Sequence, residues 1–171
     1  MSCRATLARE RVRQDGRMTA DRFEVRRLIS ASPSVIFQVL TDPRAHVAID
    51  SSGMLMAATG EPVSAVGDSF VVHMDREALN DRPLGQYDVI VTITTFEPDR
   101  EIAWDIRGTS RPPLGHRYGY QLEAAEGGTL VTSYYDWSDI SAETRQAGAF
   151  PVIPEATLRS TLGILDRTLT R

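Results

Sequence analysis

A seventeen-residue segment near the C-terminus, Pro154 to Thr170, constrains the fold more than any other stretch. Leu158, Leu162, Leu165 and Leu169 recur there at steps of four, three and four. That spacing puts all four side chains on one face of an α-helix. Arg159, Asp166, Arg167 and Arg171 fall off the seam. Pro154 is expected at the first helical position, where its missing N–H costs nothing. Glu155 in the first turn and Arg167 in the last suit the helix dipole. Such a rod is roughly 25 Å long, and each buried leucine contributes roughly 1.5–3 kcal/mol. A helix with one apolar stripe needs a surface to cover, and most of the preceding chain reads as the sheet that supplies it.

Phe23, Val25 and Ile29 mark a first strand. Ser32-Pro33 and Asp42-Pro43 each pair a capping residue with a first-turn proline. They predict two short helices, from Pro33 to Leu40 and from Pro43 to about Ile49. The period then changes to two. A weak strand is expected over residues 54–58, and a better one with Phe70, Val72 and Met74 on one face and His73 and Asp75 on the other. Tyr87, Val89, Val91 and Ile93 share the next face, followed after a turn at 97–100 by Ile102, Trp104 and Ile106. Tyr118, Tyr120 and Leu122 form the next alternating set, Gly127-Gly128 a hairpin turn, and Val131, Ser133, Tyr135 and Trp137 the last. Loops are expected over 78–86 and 108–115, and a single helical turn near Ala142–Ala147. Tight turns join antiparallel strands. One curled antiparallel sheet of about seven strands around one long helix, an α+β architecture, satisfies all these faces at once.

No apolar run approaches a membrane span, and the start of the chain lacks the apolar core of a signal peptide. A cytoplasmic protein, not an integral membrane one, is therefore expected. Cys3 is the one cysteine, so no disulfide framework or multi-cysteine zinc site can form. As a nucleophile it has no matched base nearby. All 19 basic residues are arginine. Five of them lie in residues 1–17 against Glu10 and Asp15, a local charge of +3, which leaves −7 on residues 18–171. An acidic body argues against nucleic-acid binding. Residues 1–17 read as a disordered leader, with Met18 as the alternative start, and 18–171 as a single domain.

Four motifs, spread over roughly 22–170, resemble the START-like (SRPBCC, birch-pollen-allergen) superfamily. They are Ile29–Phe37 running through Leu40-Thr-Asp-Pro43, Val66–Phe70, Phe96–Trp104, and Tyr120-Gln-Leu with Gly127–Val131. The polyketide cyclase/dehydrase and lipid transport branch is the most similar. The resemblance implies a helix-grip fold with a cavity between sheet and C-terminal helix. It does not fix activity, because the superfamily spans carriers, receptors, cyclases, co-chaperones and ribosome-directed toxins.

If the more apolar parity of each strand faces inward, Tyr87, Trp104, Tyr118, Tyr120, Tyr135 and Trp137 all point into that space. Phe70, Leu158 and Leu162 complete the expected ligand-binding set. Phenol hydroxyls in an apolar cleft suit a mostly hydrophobic ligand with a few oxygens; the alternative is a solid aromatic core. Catalytic candidates are sparse. His116 could join Tyr118 and Tyr120 in donating to a ligand carbonyl, but an exposed loop histidine is the favoured reading. Asp50 and His46 fall near the expected mouth. His73 and Asp75 have the spacing of an acid/base or metal pair on the face expected to meet solvent. Arg107 shares parity with Asp105 and reads as a surface partner rather than as a buried grip on a carboxylate. No nucleophile elbow, P-loop or zinc-protease motif occurs, and no cofactor or metal is expected. The leading expectation is a module that binds or carries a hydrophobic small molecule. An aromatic polyketide cyclase/dehydrase using the same cavity is the alternative, and a protein-interaction module of the toxin or co-chaperone kind the third. A homodimer through an edge strand or the outer sheet face is left open.

Overall fold

In the computed structural model, which describes residues 21–171, strand β1 (Arg22–Ile29) leads into helices α1 (Pro33–Thr41) and α2 (Pro43–Ile49). The expected leader and Met18 lie outside the described residues. Six strands follow: β2 (Leu55–Thr59), β3 (Ser69–Asp75), β4 (Gln86–Glu97), β5 (Glu101–Gly108), β6 (Arg117–Ala125) and β7 (Gly128–Asp136). A helical turn α3 (Ala142–Gln146) and the long helix α4 (Glu155–Thr170) come last. The strands form one seven-stranded sheet in the order β1-β7-β6-β5-β4-β3-β2, every pairing antiparallel. Helix α4 lies against β1, β7 and α2. This is the helix-grip arrangement. No helix among the described residues is long and apolar enough to cross a membrane.

The capping signals act as their chemistry dictates. Ser32 Oγ accepts from the Val35 N–H at 3.5 Å. Asp42 serves both helices: its N–H donates to Val39 O at 3.3 Å, and its Oδ1 accepts from the Arg44 N–H at 2.9 Å. One residue thus ends α1, begins α2 and sets the bend between them.

A bulge between Ile93 and Thr95 curves the sheet. Ahead of it the odd residues Val89, Val91 and Ile93 are buried; beyond it Phe96 opposes Ile102 and meets Phe37 edge-on at 5.3 Å. An inserted residue switches the parity and bends the strand.

Three of the boundaries that differ from the sequence expectation bear on packing. Pro154 is the N-cap and not the first helical residue: its backbone is extended (φ −75°, ψ 160°), and its carbonyl accepts from Thr157 N–H at 3.0 Å. Gly128 belongs to β7 and pairs with Ala125, so the turn is Glu126-Gly127. A side chain at Gly128 would meet the Ile29 carbonyl oxygen at 2.0 Å, and its φ of 149° also favours glycine, so packing and backbone conformation both require it. Strand β2 starts one residue late, at Leu55; Met54 ahead of it is buried, and its carbonyl accepts from Asp75 N–H at 2.9 Å.

Candidate functional site

The concave face of the sheet is not filled along its whole length. A cavity of about 750 Å³ opens between β3–β6, the end of α2, the loops around 109–116 and 147–153, and the first half of α4. Its apolar walls include Val72, Val89, Val91, Ile106 and Leu158. Strand alternation supplies the first four, and the helical seam supplies Leu158.

Tyr87, Trp104, Tyr118 and Tyr120 line this space with Leu158. Phe70, Tyr135, Trp137 and Leu162 stand behind the wall and do not reach the lining. Phe70 abuts the His46 ring at 5.1 Å. Trp137 packs edge-on against Phe23 at 4.8 Å, and Leu162, 1% exposed, belongs to the packed part of α4. Tyr135 stacks on Tyr118 at 4.2 Å with rings nearly parallel. Its position behind Tyr118 comes from the register, which sets the two residues directly opposite.

The polar atoms of the wall are organised by these neighbours. The Tyr118 and Tyr135 rings stack, which sets their hydroxyls side by side. The Tyr135 hydroxyl accepts from the Val152 N–H and lies 3.3 Å from His116 Nδ1. Burial pushes the His116 imidazole down to about 4, against the Ile106 carbonyl, which pulls it up. The ring is therefore neutral near pH 7. With one nitrogen donating to Ile106, Nδ1 is left to accept from Tyr135. Tyr135, His116 and the Ile106 carbonyl thus stand in line behind Tyr118. Burial also raises the Tyr118 phenol well above its usual range and Tyr120 to about 12, so both hydroxyls stay protonated donors at neutral pH. Ser133, directly opposite in β7, tempers the Tyr120 shift.

His116 is 6% exposed, contrary to the expectation of an exposed loop histidine. Phe150 covers it edge-on at 5.0 Å from a loop more than thirty residues away, a contact no local pattern announces. His46 also lines the cavity, its ring wedged between Phe70 and Trp104 and its Nε2 2.8 Å from Leu40 O. Burial lowers its pKa. Asp50 lies in the wall, but its carboxylate accepts from Ser52 N–H, Ser52 Oγ, Gly53 N–H and Leu55 N–H. That occupation gives it the work of shaping the α2–β2 loop. His73 lies on the opposite face, bonded to Asp88 at 2.7 Å and Thr59 at 2.9 Å, and makes no pair with Asp75. Arg107 and Asp105 form no ion pair, and Asp105 Oδ1 is buried without a hydrogen-bond partner. Among the described residues no cluster of three or more His, Cys, Asp or Glu is placed to hold a metal.

The sequence reading missed Arg76, which is 4% exposed and lines the cavity. Its Nε donates to Asp81 Oδ1 at 3.0 Å, its Nη2 donates to Asp81 Oδ2, and its Nη1 donates to Met54 Sδ at 2.7 Å. The signal was present: Arg76 continues the inward parity of Phe70, Val72 and Met74 one step beyond β3.

No family model matches the chain. Among curated proteins, the uncharacterized protein Rv0088 of Mycobacterium tuberculosis is 26% identical over 111 residues, 64% of this chain and 44% of that protein. The chain therefore spans less than half the length of this curated relative. Solved structures resemble it more broadly. Protein CV1439 from Chromobacterium violaceum matches with a TM-score of 0.63 at 14% identity, over 88% of this chain and 99% of its own. Protein Ms6760 from Mycobacterium smegmatis gives 0.58 at 20% identity, over 87% and 90%. The AHSA1-like protein from Aeromonas hydrophila gives 0.54 at 16% identity, over 85% and 90%. Likeness at these identities establishes the fold.

Proposed function

We propose that this chain binds or carries a hydrophobic small molecule, lipid or polyketide-like, between its sheet and α4. The observation that carries this reading is the cavity of about 750 Å³, walled by aliphatic and aromatic side chains with a few oriented hydroxyls. Small-molecule sites are of this size and character, with burial giving affinity and a few polar groups giving orientation. Tyr118 and Tyr120 are the orienting donors. Native mass spectrometry on protein purified from its own host, followed by denaturation and extraction, tests it. The expected result is a bound apolar mass released on unfolding. An apo mass, together with no saturable uptake of any apolar probe, would refute it.

A second reading is favoured by one observation, the Tyr118 hydroxyl on the cavity wall, its ring stacked on Tyr135, which bonds neutral His116. In an aromatic cyclase/dehydrase, Tyr118 would polarise a ketone of a bound poly-ketone chain, and His116 would hold Tyr135 in place. Catalysis would come mainly from positioning. Tyr118→Phe is then expected to lower cyclisation rate at least tenfold with little change in affinity. Equal rates with and without protein would end this reading and leave the carrier.

A further inference from the structure

One end of the cavity carries charge that its own carboxylates do not match. Arg76, 4% exposed, enters from the end of β3 and meets Asp81. Arg82 lines the same space, half-buried, and donates Nη2 to Ala149 O at 3.1 Å. It forms no ion pair with any carboxylate among the described residues. Two guanidiniums thus stand against one carboxylate. Arg76 lies close enough to Tyr118 for its charge to be felt there; Arg82 is similarly close to Tyr135. Asp50 in the wall is committed to four donors of the α2–β2 connection and the start of β2, and the Asp88 carboxylate turns to the opposite face, where it bonds His73.

Building on the cavity reading above, we propose that the ligand is an amphiphilic organic acid. Its carboxylate lies between Arg76 and Arg82, and its apolar body lies along Trp104, Ile106 and Leu158. A planar guanidinium fork and phenol hydroxyls suit a carboxylate's two oxygens. A partly desolvated cation without a counter-ion is costly, and a bound carboxylate removes that cost. Arg82 also ties the loop after β3 to the loop before α4 through Ala149, so a carboxylate bound there would draw two sides of the mouth together.

The test compares 1-pyrenebutyric acid with 1-pyrenebutanol, matched in shape and differing in charge, by fluorescence titration of the full chain at pH 7.5. The acid is expected to bind at least tenfold more tightly. Arg82→Gln is expected to bring the acid down to the alcohol's affinity, and Arg82→Lys to restore part of the difference. Circular dichroism of both variants verifies folding. Equal affinities of the two probes for the wild-type chain would overturn the carboxylate and leave the cavity standing. A preference that survives unchanged in Arg82→Gln would also overturn it, by placing the anion elsewhere. Failure of both probes to bind would remove the cavity reading as well.

Discussion

The two halves of α4 face the same sheet and meet different interiors. Toward the C-terminus, Leu162 and Leu165, 1% and 0% exposed, pack into a closed core with Ile29, Ile36, Leu40, Ile102 and Val131. All are aliphatic, and none lines the cavity. Toward the N-terminus, Thr157, Leu158 and Thr161 look onto open space, and the facing strands present Trp104, Tyr118 and Tyr120. Ser51 Oγ is 2.8 Å from both Thr157 O and Thr161 Oγ1, so a polar clamp holds that half where apolar contact is thin. Branched aliphatics interdigitate to a solid. Flat rings with polar tips, held apart by stacking and hydroxyl bonds, leave a gap. The closed end holds the fold together, and the open end is free to bind.

Leucine truncation should separate the two ends most clearly. Leu165→Ala removes buried methyls and leaves a new void, with an expected cost in the upper half of the about 2–5 kcal/mol range for such changes. Leu158→Ala merely enlarges existing space and is expected near about 2 kcal/mol. Chemical denaturation of both variants reads the difference; equal losses would mean that the N-terminal half is packed as solidly as the other.

Acid should act next, and at the open end. His116 is protonated in the unfolded chain below 6.5, but in the folded chain only near about 4. Between those values the unfolded state binds the extra proton, so stability present above pH 6.5 is lost as pH falls toward 4. The expected loss is about 1.4 kcal/mol per pH unit and about 3 kcal/mol in all. His46, also lowered by burial, adds in the same direction. Urea unfolding of wild type and His116→Gln across this range checks it; parallel pH profiles would contradict a buried neutral imidazole.

Ser51→Ala should have the smallest effect, about 1 kcal/mol for the lost hydrogen bonds. It should also be local. Amide exchange is expected to quicken over 155–161 and stay unchanged over 164–169. Uniform acceleration would mean that the two halves of α4 open together.

Much of this comparison cannot be read from the chain alone. The period of two placed the strands, proline after a capping residue placed α1 and α2, and four leucines placed α4. Leu158 and Leu165 look identical in that pattern, because periodicity reports which face is covered and says nothing about how closely. Trp137 and Trp104 share inward parity for the same reason, yet one is sealed by Phe23 and the other borders the cavity. His116 becomes buried through Phe150 and Tyr135, contacts fixed only when distant segments meet. Arg76 was within reach, since strand parity can be extended past the last apolar residue.

The central claim, an open apolar cavity at one end of the sheet–helix interface, is met most directly by methyl-resolved NMR during titration with 1-pyrenebutanol. Saturable shifts are predicted at Val89, Val91, Ile106 and Leu158, with Ile36, Ile102, Leu162 and Leu165 unmoved. No saturable shift, or shifts gathered on the outer face of the sheet, would contradict it.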